Sequence, residues 1–194
     1  ADGTEILPAA VTDIVCYSEA LTGTELLAAD TYYEVPVPNY DILVDPAGGG
    51  DYTTIQNACD AALDGQVIYV QTGVYPETEN NYLLVNEKVT IQGIGRVVVQ
   101  PTGAQVVNNQ TETNWKHIWF DASVGANMGF YANTAGPVDI RKCYLTDSSG
   151  IGIYLRENVE MTIEHYASKD VGTNHIRTRS QLDLKNSMFG GIAG

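Results

Sequence analysis

ILVDPAGGGDYTTIQNACDAALDGQVIYVQTGVYPE, residues 42–77, is the stretch on which the fold turns. A short apolar run, Ile42–Asp45, meets Pro46 and the glycines Gly48 to Gly50, a turn signal. Thr53 or Thr54 can then cap a helix over 53–63, because Ile55, Ala58, Cys59 and Ala62 recur at helical spacing. Asp64-Gly65 stops that helix, and a second strand, Val67–Gln71, leads to the Gly73 turn. Strand, helix and strand within so few residues predict a strand column with an amphipathic helix at its head.

Working outward towards the C-terminus, short strands with alternate apolar residues recur: Val89/Ile91, Ile118/Phe120, Val138/Ile140, Met161/Ile163 and Leu182/Leu184. The steps from Ile118 to Ile140, Ile163 and Leu184 are 22, 23 and 21 residues. Such a period is that of a solenoid, in which each unit returns the chain to its start about 4.8 Å further along. The longer step from Ile91 to Ile118 is assigned to a polar insertion, Thr102–Asn114, which contains the glycosylation sequon Asn109-Gln110-Thr111. The expected fold is all-β: a short parallel β-helix over 41–194, with the 53–63 helix covering its first open edge.

Towards the N-terminus, residues 1–40 read as a separate β-rich attachment segment with short strands at Thr4–Leu7, Thr12–Ser18 and Thr31–Val37. Pro36 and Pro38 mark its boundary. The 194-residue chain carries 24 acidic against 10 basic side chains, a formal charge of −14. Such a surface repels phosphate backbones and anionic lipid, so neither nucleic acid nor membrane is an expected partner. The start shows no basic region followed by an apolar stretch, and no apolar run is long enough to span a bilayer. The three cysteines, Cys16, Cys59 and Cys143, show no metal spacing. They read as small buried hydrophobes, with Cys16 the candidate for an intermolecular disulfide.

Residues 44–77, VDPAGGGDYTTIQNACDAALDGQVIYVQTGVYPE, and the later unit VDIRKCYLTDSSGIGIYLREN resemble the pectin-lyase-like right-handed β-helix superfamily. The resemblance covers roughly residues 41–194. That superfamily includes pectin methylesterases, pectate lyases, polygalacturonases and phage tailspikes, so it implies a fold more narrowly than an activity. The Gln-Asp-Thr-Leu-type motif of the esterase branch and the Gly-His-Gly of the polygalacturonases do not occur. Asp121, Asp147 and Asp170 fall at similar places in successive units, with Arg156 or Arg177 nearby. Aligned corner acids are usually solvated, so they are assigned neither catalysis nor calcium. His117, His165 and His175 read as surface or corner residues.

The expectation at this level is a structural protein without catalytic residues, metal or cofactor. It resembles a phage virion component made in the host cytoplasm (capsid decoration, minor capsid or collar spike), self-associating as a homotrimer and contacting a major capsid protein. The first alternative is a carbohydrate-binding or polysaccharide-degrading β-helix outside the cell, with Trp119, Tyr131, Tyr144 and Tyr154 as contact aromatics and Tyr166 also a candidate. The second is a cell-surface adhesin or surface-layer fragment.

Overall fold

A computed structural model of the chain describes residues 40–76, 82–133, 136–157 and 159–192. The expected strands of the amino-terminal segment, and Cys16 with them, lie outside the described residues.

The described chain winds as a short right-handed parallel β-helix with three faces. The first face is built from β1 (Ile42–Val44), β2 (Val67–Val70), the start of β5 (Thr90–Val99), the start of β7 (Thr113–Asp121), β9 (Gly136–Arg141), β12 (Val159–Glu164) and β15 (Gln181–Lys185). The second holds β3 (Gly73–Tyr75), the ends of β5 and β7, β10 (Tyr144–Thr146), β13 (Ala167–Val171) and β16 (Met188–Ile192). The third is a separate sheet of β4 (Leu83–Val85), β6 (Gln105–Asn109), β8 (Met128–Ala132), β11 (Ile151–Leu155) and β14 (Asn174–Thr178). Each strand pairs in parallel with its counterparts one coil away.

The period-2 alternation puts one ladder of side chains inside each face. On the first face the ladder is Ile42, Ile68, Ile91, Trp115, Ile140, Ile163 and Leu184, seven rungs among the described residues. On the second it is Tyr75, Val99, Phe120, Leu145, Ser168 and Phe189. The third contributes Leu83, Val107, Phe130, Ile153 and Ile176. One coil supplies Trp115, Phe120 and Phe130 from its three faces, and their rings meet edge to face at 5.5 to 5.7 Å. The column opens out at its far end, where Leu184 is 43% exposed although Ile163 beneath it is fully buried.

Two expectations about the repeat need correction. Ile140 stacks on Trp115, not on Ile118, which pairs with Val97 on the next face. Residues 102–114 are no insertion: they contain β6, a regular member of the third face, and the start of β7. Strand β7 bends at His117, and β5 bulges between Gln92 and Val97, so single strands serve two faces. The bends of successive coils lie at His117, Lys142, His165 and Asn186, each with φ between 46° and 56°. Left-handed backbone in non-glycine residues costs about 1 kcal/mol each. The ladder holds it in place, for example through Lys142 N–H to the Glu164 carbonyl at 2.9 Å. Asn109 of the sequon is fully buried, and its Oδ1 accepts from Thr113 Oγ1 at 2.8 Å.

The helix α1 (Ile55–Ala61) is two residues shorter at each end than expected. Thr54 is extended and its side chain accepts from Asn57 N–H at 3.2 Å, while Ala62 is again extended. Ile55, Ala58 and Cys59 are buried where the helix packs on β1, β2 and β4. The helix therefore closes the head of the column. Gln56 ties it down: its Nε2 donates to the Leu84 carbonyl at 3.0 Å and its Oε1 accepts from Leu84 N–H at 2.8 Å. Gln56→Ala leaves both groups of an edge strand without that partner and is expected to cost about 2 kcal/mol, read as a lower urea midpoint at unchanged slope.

Candidate functional site: the aromatic faces of the column

The four aromatics expected to contact carbohydrate fall into two pairs on two faces. Tyr131 and Tyr154 occupy matched positions on β8 and β11, facing out of the third sheet. One coil spacing separates them, so their rings stack, with centroids 5.6 Å apart and planes 22° from parallel. Asn108 continues the column on one side and Arg177 on the other. The Arg177 guanidinium lies 5.6 Å from the Tyr154 ring centroid.

The neighbouring outward column consists of Gln110, Asn133 and Arg156. Arg156 Nη1 donates to Asn133 Oδ1 at 2.8 Å, and Asn133 Nδ2 donates to Gln110 Oε1 at 3.0 Å. Gln110 in turn donates to Asn108 Oδ1, and the Tyr131 hydroxyl sits 3.4 Å from Asn133 Oδ1. Two half-buried rings, a row of amides and two guanidinium groups thus share one face. Rings pack on the apolar faces of sugars, amides exchange hydrogen bonds with hydroxyls, and guanidinium forks match carboxylates. The sequence pointed to the tyrosines but not to the amides, and it placed Arg156 and Arg177 only as neighbours of the corner acids. The signal was their 23-residue recurrence, as in Gln110 and Asn133.

Trp119 and Tyr144 pair on the second face, edge to face with centroids 5.3 Å apart. Trp119 Nε1 donates to Thr146 Oγ1 at 3.0 Å. Tyr166 is buried inside the column and leaves the platform.

The acids expected to align do so only in part. Asp121 matches Thr146 and Lys169 in register, and it accepts from Gln100 Nε2 at 2.7 Å. Asp147 and Asp170 sit together one position further on, both with left-handed backbone. Lys169 pairs with Asp170 at 3.3 Å. Arg156 belongs to the third face, away from all three acids, and so does Arg177. Among the described residues, no three His, Cys, Asp or Glu side chains are grouped as a metal would need. His117 and His165 are corner residues, whereas His175 is half-buried with Nδ1 2.8 Å from Ser168 Oγ. Cys59 and Cys143 are buried, and burial pushes the Cys143 thiol up to about 12.

No family model matches the chain. It is 33% identical over 131 residues to a curated Arabidopsis thaliana protein named "Putative pectinesterase/pectinesterase inhibitor 38". The match covers 62% of this chain and 27% of that protein, so the chain spans about a quarter of its relative's length. This likeness overturns the expectation of a chain that is no enzyme, since the relative is named for an enzyme acting on carbohydrate, or for its inhibitor. It gives the virion reading no support and favours the carbohydrate alternative. The parallel column and this likeness together support the pectin-lyase-like β-helix superfamily.

Proposed function

We propose that the chain is a carbohydrate-directed β-helix that holds an acidic polysaccharide of the pectin class along its third face, outside the cell where such polymers occur. The observation that carries this reading is the Tyr131–Tyr154 stack flanked by Arg156 and Arg177 and continued by Asn108, Gln110 and Asn133. The name of the Arabidopsis relative supports the same polymer class. Extended polymer suits a flat face whose contacts repeat at one coil spacing, about 4.8 Å.

The test is affinity electrophoresis in gels containing partly methyl-esterified polygalacturonate, with methanol release followed in parallel as the measure of ester hydrolysis. The wild-type chain is expected to be retarded. Tyr131→Ala/Tyr154→Ala should bind about tenfold more weakly, because two ring contacts of roughly 0.5–1 kcal/mol each are lost. Equal mobility of the wild-type chain in pectin and in neutral-glucan gels would exclude the proposal.

A further inference from the structure

The second face carries a groove of about 240 Å³ that owes nothing to the stacked tyrosines. Gly95, Arg96, Val97, His117, Ile118, Trp119, Lys142 and Tyr144 line it. Its basic side chains come from three places. Arg96 sits on the β5 bulge, just after Gly95, whose φ of 74° suits glycine. His117 and Lys142 are the left-handed bend residues of successive coils. Repetition of the bend therefore brings them side by side at the groove's corner.

The Arg96 guanidinium lies 4.5 Å from the Trp119 ring centroid, and Tyr144 packs edge-on against the same ring. Neither Arg96 nor Lys142 has an acidic partner among the described residues, and nor has Lys116, next to His117. The His117 imidazole is held below its ordinary range, first by desolvation and then by Lys142 and Lys116. In a chain of charge −14, unneutralised cations gathered beside half-buried aromatics need a reason. Five of the ten lysines and arginines do find acids, as Lys88 does with Glu112 and Lys185 with Asp183, and Arg96, Lys116 and Lys142 are three of the other five.

We infer that this groove is a second ligand site, independent of the third-face proposal, that takes one acidic sugar unit: its anionic group between Arg96 and Lys142, its ring against Trp119 and Tyr144. The volume suits a single ring, below the range of drug-sized pockets. The lining combines apolar walls with few charges, the usual mix for a small polar ligand. The anionic group can be carboxylate or sulfate, since a guanidinium fork and an ammonium accept both.

Tryptophan fluorescence tests this directly. Trp115 is fully buried, so a ligand-dependent change reports on Trp119. Three probes of equal length are titrated into the full chain: trigalacturonate, its fully methylated ester, and a sulfated neutral trisaccharide. A saturable change with either acid probe, at least tenfold weaker with the methylated ester, is expected, and the stronger acid identifies the anionic group. Arg96→Gln/Lys142→Gln should lose the response with an unchanged far-ultraviolet circular dichroism spectrum. Tyr131→Ala/Tyr154→Ala should keep it, which separates this site from the third face. No response to either acid, equal response to the ester, or an undiminished response in the Arg96→Gln/Lys142→Gln variant would overturn the inference.

Discussion

Trp115→Ala is expected to cost about 4 kcal/mol, the middle of the range for aromatic-to-alanine changes in a close-packed core. The ring is fully buried and is the first-face member of the only described coil whose three faces all contribute aromatics. Removing it empties the centre of the column, where Phe120 and Phe130 lose their shared edge-to-face partner. It also breaks a buried polar relay. Trp115 Nε1 donates to Thr113 Oγ1 at 2.9 Å, and that hydroxyl donates to Asn109 Oδ1 at 2.8 Å. Trp115→Phe separates the two contributions, since it keeps most of the volume and removes only the donor. Urea unfolding followed by circular dichroism reads both variants. A loss below about 1 kcal/mol in Trp115→Ala would mean that the coil does not pack as described.

Ala58→Asp comes next in expected size. Ala58 is fully buried on the face of α1 that covers β1, β2 and β4. A carboxylate there is buried among apolar side chains, and desolvating it unpaired is among the few single changes that cost about 4 kcal/mol. The expected result is wider than a lower midpoint. A lifted helix exposes Ile42 and Ile68 on the first rungs together with an open strand edge, and such edges recruit other chains. Light scattering should show self-association of Ala58→Asp well below its unfolding transition. Asn57→Asp, one residue away and exposed, places the same charge in solvent and should stay within about 0.5 kcal/mol of the parent. If Ala58→Asp proved as stable and monodisperse as Asn57→Asp, α1 would not be the lid of the column.

The candidate sites were legible unevenly. The four outward aromatics were visible in the sequence because outward positions alternate with core positions along each strand. Their grouping was not. Trp119 and Tyr131 are twelve residues apart yet belong to different faces, whereas Tyr131 and Tyr154, one coil apart, touch. The groove on the second face left no trace in the chain, since Arg96, His117, Lys142 and Tyr144 share no motif. Asp121 misled for the same reason: its spacing suggested a row with Asp147 and Asp170, but the corner falls between them.

What the sequence determined by itself is the local alternation and its recurrence. In-and-out patterning depends only on the two-residue repeat of a strand, and the cap at Thr54 with Ile55, Ala58 and Cys59 depends only on helical spacing. From these the parallel column and its lid follow. What the tertiary structure decided is the phase of each coil, namely which strand lies on which and where the faces meet. Corners of the column are bends at His117, Lys142, His165 and Asn186, and the N–H groups of Lys142 and His165 are bonded to carbonyls of the next coil. Asparagine and histidine adopt that conformation more readily than most residues and lysine does not, so the residue type marks the corners only in part. A bend stabilised by neighbours that are 20 or more residues away cannot be read before those neighbours are in place, and the positions of both proposed ligand faces depend on it.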